Sequence, residues 1–209
     1  MRERLLKDES GFTLPELMVT IMIMLIVMFA LYSIFDMTIR VFSFGNDKIE
    51  AVENARLGLE RMEREIRAAY PYDRAANNNT LLTSWTSNSI SFGNDLDGNR
   101  KIECPPGGSP PCETISYDVY RPSGETTYAL GRVNANGGNR QATVEFVDYV
   151  TASNSGLNFR YFERDGTTEV TPGVGAESRI ALVRIELRIR VDDGTQTLTT
   201  DVALRNRDN

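Results

Sequence analysis

Residues 17–35 read LMVTIMIMLIVMFALYSIF, with no charged side chain and only Thr20 and Ser33 clearly polar. As an α-helix this stretch spans roughly 28 Å, about the hydrocarbon thickness of a bilayer. It is apolar on every face, and a single domain of this size rarely hides such a helix. The stretch therefore predicts a membrane helix, with a buried core helix as the competing reading. Residues 1–11, MRERLLKDESG, are polar and mixed in charge, unlike a secretory leader with an apolar region of its own. Arg2, Arg4 and Lys7 favour a cytoplasmic N-terminus, against Arg40 and Lys48 on the other side.

Helical character continues past the membrane edge. Val52, Ala55, Leu59, Met62, Ile66 and Ala69 recur at spacings of three and four, while Arg56, Glu60, Arg61, Glu63, Arg64, Glu65 and Arg67 fill the other faces. This is an amphipathic helix with one apolar stripe. Glu60–Arg64 and Glu63–Arg67 have the favourable i,i+4 order. Pro71 blocks continuation and biases Tyr70 away from helical geometry. One rod from Pro15 to Ala69 would be about 80 Å long, more than a bilayer needs. Gly45 and Gly58 read as weak points, each costing roughly 1 kcal/mol against alanine. The outer half has to press its stripe against something.

The rest of the chain reads as sheet. Ser89–Phe92, Thr114–Tyr120, Thr126–Val133, Thr143–Val150 and Leu157–Glu163 are rich in β-branched and aromatic residues, with Gly, Asn, Asp and Pro between them. Val183, Ile185, Leu187, Ile189 and Val191 alternate strictly with Arg184, Glu186, Arg188 and Arg190. Asp193-Gly194 predicts a type I′ turn. That turn sets Leu198, Thr200, Val202 and Leu204 opposite Ile189, Leu187, Ile185 and Val183, with both apolar sets on one face. The predicted fold class is α+β: a long N-terminal helix, its first half membrane-spanning, laid on an antiparallel β-sheet. The predicted segments are 1–11 as leader, 12–36 as transmembrane helix, 37–70 as its amphipathic continuation and 71–209 as a β-rich head.

Composition removes several function classes. The chain of 209 residues has no histidine, the commonest general base and metal ligand. The formal net charge is −6, without a strongly basic run, so nucleic acid has no electrostatic footprint here. Nucleophile motifs, glycine-rich phosphate loops and cofactor fingerprints are absent from the sequence. The acids Glu60, Glu63 and Glu65 read as a solvated helix face. No enzyme activity and no organic cofactor are expected.

The junction Gly11-Phe12-Thr13-Leu14-Pro15-Glu16, running straight into the apolar helix, resembles the processing site of type IV prepilins. The resemblance covers Gly11 to about Phe35 and is supported more loosely by the helix-then-sheet order. It implies cleavage after Gly11 by a membrane prepilin peptidase, methylation of the new N-terminus at Phe12, and a role for Glu16 in assembly. Glu16 would pair with the N-terminal amine of a neighbouring subunit. Pro15 stands where many members have an aliphatic residue, and the acids Glu3, Asp8 and Glu9 offset the basic leader. Physics supports the residue types. Glycine lets backbone enter a narrow protease cleft without a clash, and a lone carboxylate at the start of a membrane helix is expensive unless paired. A purely local reading also fits Glu16, since Thr13 and Glu16 have capping-box spacing and acids favour a helix's first turn.

Two further clusters stand out. Asp95, Asp97 and Asn99 place oxygens at positions one, three and five of a calcium-type loop, with Ile102 at its aliphatic position. Arg100 occupies the expected glycine position and Pro106 that of the closing glutamate; an Asx-type turn between strands is the competing reading. Cys104 and Cys112 bracket a proline-glycine loop. Outside the cytoplasm they should form a disulfide, closing about nine residues for roughly 2–3 kcal/mol on the chain-entropy model; two free thiols are the alternative.

The end of the helix, residues 57–72 (LGLERMEREIRAAYPY), together with the overall length, resembles minor subunits of the W-type pilin and J-type secretion pseudopilin groups, which implies a structural subunit, a minor pilin or pseudopilin. Its partners would be other pilin subunits, the prepilin peptidase and the inner-membrane assembly platform. It would sit as a single-pass inner-membrane protein, head outward, before entering a filament. The alternative is a signal-anchored extracytoplasmic binding domain that never polymerises, with calcium as its candidate ligand.

Overall fold

The computed structural model describes residues 11–72, 80–104, 112–134, 141–147, 156–172, 177–191 and 194–205. Helix α1 runs unbroken from Leu14 to Arg67, through both glycines. Its first turn is set by the Thr13 carbonyl, which accepts a hydrogen bond from Leu17 N at 3.2 Å. Pro15 lies in that turn, where a missing N–H costs nothing. The last turn tightens, with Ala69 N bonding the Ile66 carbonyl at 3.1 Å, and then Tyr70 N donates to the Gly93 carbonyl at 2.8 Å. The chain thus leaves the helix ahead of Pro71, as the proline predicts, and attaches at once to a strand.

The chain divides into two compact units, Met1–Asn46 and Asp47–Asn209. In the first, no described residue is buried. Among the described residues, α1 is the one helix long and apolar enough to cross a membrane.

The second unit joins the rest of α1 to a sheet. Its strands are β1 (Leu82–Trp85), β2 (Ile90–Gly93), β3 (Thr114–Tyr120), β4 (Tyr128–Asn134), β5 (Gln141–Val147), β6 (Leu157–Phe162), β7 (Glu169–Val170), β8 (Leu182–Val191) and β9 (Gly194–Ala203). The order is β1-β2-β3-β4-β5-β8-β6-β7, with β9 on β8, and every pairing is antiparallel. The five expected strands all form, β3 with the expected ends. Residues 148–150 of the fourth lie outside the described residues. Strands β1 and β7 were not predicted; at four and two residues they are too short to show a period. The sheet curls, because the β1–β2 turn bonds β6: Phe159 N reaches the Ser87 carbonyl at 2.7 Å, and the Tyr161 hydroxyl donates to the Thr86 carbonyl at 2.7 Å.

The β8–β9 hairpin forms with its apolar faces aligned but in a different register. Leu187 pairs with Leu198, Ile185 with Thr200 and Val183 with Val202, while Val191 faces Gly194. The expected pairing is off by two residues, and the connecting residues are 192 and 193, outside the described residues. The reason is that a shift of two preserves which face every side chain occupies, so the apolar pattern cannot detect it. Only the turn could have, and there the acid-glycine pair misled.

The core lies between α1 and the sheet. Ala55, Met62 and Ile66 are fully buried, as are Ile90 and Phe92 of β2, Tyr117 of β3, Leu130 of β4, Tyr161 of β6 and Val183, Ile185, Leu187 and Ile189 of β8. Gly58 corrects its sequence reading. It is no weak point but the place of closest approach, where an added Cβ would stand 2.1 Å from Val144 Cγ2.

Candidate processing and assembly site

The residues around the expected cut site are solvent-facing. Phe12 and Leu14 are each 80% exposed, and Glu16 lies exposed in the first turn of α1. Residues 1–10 of the leader lie outside the described residues. The capping box suggested by Thr13 and Glu16 is not formed among the described residues; the Thr13 carbonyl makes the first intrahelical bond, to Leu17 N. That leaves the Glu16 carboxylate without an intrachain partner among the described residues. Helix-dipole attraction still favours an acid in this turn.

Beyond Glu16 the helix offers apolar side chains on all sides from Leu17 to Phe44, each at least 40% exposed. Thr20, Ser33 and Thr38 turn their hydroxyls back onto the carbonyls of Leu17, Phe29 and Ile34. Their polar atoms are thereby satisfied within the helix, as a hydrocarbon environment requires. The first charges met, Asp36 and Arg40, neutralise each other in an i,i+4 ion pair of 2.9 Å.

In the second unit, α1 is fastened to the sheet by charge as well as by its stripe. The Glu65 carboxylate receives the Tyr117 hydroxyl at 2.7 Å, Arg132 Nε at 2.9 Å and Arg61 Nε at 3.2 Å. Burial raises the pKa of Glu65, but the hydrogen bonds from Arg132 and Tyr117 outweigh it and hold the carboxyl below its usual range. Tyr117 is pushed well above the ordinary phenol, first by burial and then by the Glu65 carboxylate it serves. Glu65, read from sequence as part of a solvated face, is therefore an anchor; the signal was hidden because its partners are 52 and 67 residues away. Glu63 pairs with Arg67 as expected. Glu60 and Arg64 are not joined by an ion pair among the described residues.

The acid-glycine loop after β2 is ordered by its own side chains. Asp95 accepts Gly98 N at 2.7 Å and Arg100 N at 3.0 Å, Asp97 accepts Asn99 N at 2.9 Å, and Asn99 accepts Lys101 N at 2.8 Å. Arg100 adopts φ 67°, the left-handed backbone that its position demanded of a glycine. Ile102 is buried, as its aliphatic position predicts. The residue that sequence reasoning missed is Glu113, at the start of β3 and only 3% exposed. Its carboxylate accepts Leu96 N at 2.7 Å, Asp97 N at 3.2 Å and Glu103 N at 3.1 Å. One carboxylate oxygen each from Asp95, Asp97 and Glu113 lie within 4.8 Å of one another. Glu113 was invisible because the cysteine loop separates it from Asp95. Cys104 and Cys112 are disulfide-bonded, their Cα atoms 4.2 Å apart.

Residues 6–32 match the family model of the prokaryotic N-terminal methylation motif. The chain carries this motif. The match spans the junction at Gly11, Phe12 and Glu16 and the exposed apolar helix together, and it supports a type IV pilin-like protein processed by a prepilin peptidase. No curated protein matches the chain.

Proposed function

We propose that this protein is a structural minor subunit, a minor pilin or pseudopilin, that is cut after Gly11 and built into or primes a type IV pilus or a type II secretion pseudopilus. The observation that carries the reading is the coincidence of the methylation motif with a helix exposed on every side. Such a helix needs a bilayer first and neighbouring helices afterwards. Cleavage creates an ammonium at Phe12, and a Glu16 carboxylate without an intrachain partner among the described residues is suited to the ammonium of the next subunit. In an apolar surrounding that pairing is worth far more than in water. The charges Arg2, Arg4 and Lys7 favour a cytoplasmic N-terminus, against Arg40 and Lys48 beyond the apolar stretch. The disulfide fits a head on the oxidising side, so before assembly the chain is a single-pass inner-membrane protein. Its partners are other pilin subunits, the prepilin peptidase and the inner-membrane assembly platform, and it has no catalytic role.

Mass spectrometry of the protein recovered from membranes and from sheared filaments tests this. The expected species begins at a methylated Phe12, and Glu16→Ala is expected to abolish its recovery in filaments while leaving it in the membrane. A chain still beginning at Met1 would leave a tethered β-domain that does not polymerise.

A further inference from the structure

The loop after β2 is more than a turn, and a comparison within the molecule shows why. Asp165-Gly166 forms an ordinary acid-glycine turn, where one carboxylate accepts Thr167 N at 3.0 Å and Thr168 N at 2.9 Å. Those bonds, first among them that of the Thr168 hydroxyl, hold Asp165 well below the usual carboxylate range. Among the described residues Asp165 belongs to no group of three acids close enough to share an ion. At Asp95–Lys101 the same turn chemistry is joined by a second and a third carboxylate, one of them brought from another strand and buried.

We propose that Asp95, Asp97 and Asn99 of this loop, with Glu113 just ahead of β3 closing the ring, bind one hard divalent cation of calcium's size. Two oxygens bound to one calcium at 2.3–2.6 Å stand at most about 5 Å apart, a limit that the 4.8 Å grouping of Asp95, Asp97 and Glu113 meets. The hydrogen bonds do not exhaust these groups. Each oxygen of Asp95 and Asp97 accepts one hydrogen bond and has two lone-pair directions, so each retains one. Glu113 Oε2 accepts only Glu103 N and retains one as well.

Asn94 supplies an independent observation. It is 7% exposed, and its Oδ1 is buried with no hydrogen-bond partner among the described residues. The β2–β3 ladder ends with Gly93 opposite Thr114, and just beyond it Asn94 N still donates to the Glu113 carbonyl at 2.9 Å, which holds the two residues side by side. Residues facing each other on antiparallel strands project to the same side. Asn94 is thus the immediate neighbour of Glu113, continuing the side of the sheet from which that carboxylate reaches the loop. A buried amide oxygen without a donor is unfavourable unless something positive comes to it. The positive charges on the loop, Arg100 and Lys101, are exposed. They weaken the site, and affinity in the range of extracellular calcium modules, about 10⁻⁴–10⁻³ M, is expected.

The test uses the full chain in detergent micelles, melted with CaCl₂ or MgCl₂ at matched ionic strength. Calcium at about 10 mM is expected to raise Tm by roughly 3–8 °C, while magnesium, which sheds its waters reluctantly, leaves it unchanged. The Asp97 side chain is exposed and bonds only Asn99 among the described residues, and its backbone bond to Glu113 does not depend on the side chain, so Asp97→Asn should fold normally. It should keep the metal-free Tm and require at least about tenfold more calcium for the same shift. Glu113→Gln should lose the calcium response as well, with a lower metal-free Tm because its carboxylate also holds the loop. An equal rise with magnesium, no rise with calcium, or an undiminished rise in Asp97→Asn would overturn the proposal. None of these results bears on cleavage after Gly11, which is read out separately.

Discussion

Between Leu14 and Phe44 helix α1 buries nothing, whereas between Ala51 and Ile66 it buries Ala51, Ala55, Gly58, Leu59, Met62 and Ile66. The backbone is the same in both stretches; the side chains answer to different surroundings. A helix satisfies its own N–H and C=O groups, so it can run from a hydrocarbon environment into water without a break. What changes is the pattern, from apolar on all faces to one apolar stripe among charges. The largest expected effect tests that contrast. Ile66→Ala should cost about 2–5 kcal/mol of unfolding free energy, since the side chain is fully buried. Ile26→Ala removes the same atoms from a residue that is 67% exposed and should change it by less than about 0.5 kcal/mol. Denaturant titration of both variants in micelles measures the difference. Equal costs would mean that the first stretch has a covered face after all.

The same contrast holds for charge. Asp36–Arg40 is an exposed pair on the helix surface, with side chains 47% and 79% accessible, whereas Glu65 and Arg132 are 18% and 14% accessible. Exposed i,i+4 pairs contribute about 0.3–0.5 kcal/mol. Hydrogen bonds to a partly buried charge contribute about 1.5–3 kcal/mol, and Glu65→Gln should cost an amount in that range. Its pH signature follows from the lowered pKa of Glu65. A carboxyl that binds its proton less readily when folded contributes stability above the ordinary glutamate value of 4.5, and that contribution fades as pH falls through the folded value. Between pH 7 and 3 the parent should therefore lose more stability than Glu65→Gln. Parallel acid titrations of the two unfolding curves would expose an unperturbed Glu65.

How much of this was legible beforehand depends on how far apart the cooperating residues are. The stripe Val52, Ala55, Leu59, Met62, Ile66 and Ala69 repeats within a few turns; Val52 is half-buried and the other five are buried. The strand β8 announces itself by nine alternating residues, Val183 to Val191, and its inward set is fully buried from Val183 to Ile189. The hairpin register was not legible, because a displacement of two leaves the alternation intact. Glu65 and Glu113 were not legible either. Each serves groups that only the tertiary fold delivers: Tyr117 and Arg132 to one, the amides of Leu96, Asp97 and Glu103 to the other. Asp95, Asp97, Asn99 and Ile102 could be picked out by local spacing, yet spacing alone pointed to Pro106 for the closing position. The cysteine loop moved that role further along the chain than a contiguous motif allows.

The two helix glycines give the subtlest form of the comparison, since sequence assigns them the same cost. Nothing stands within 4 Å of where a Cβ on Gly45 would lie, so Gly45→Ala should stabilise the helix by up to about 1 kcal/mol through its lower backbone entropy cost. At Gly58 the same substitution meets Val144 Cγ2 at 2.1 Å and the Thr143 carbonyl oxygen at 3.4 Å. Valine is branched at Cβ and has little rotamer freedom to withdraw, and Val144 is itself 1% exposed. Gly58→Ala should therefore lose about 1–3 kcal/mol by overpacking, against the helix preference. Adding Val144→Ala removes the opposing methyl groups, so the double variant should regain part of that loss relative to the sum of the single changes. Two glycines thirteen positions apart on one helix would thus respond to one methyl group with opposite signs. If both gained stability, the helix would not approach β5 as closely as Gly58 allows.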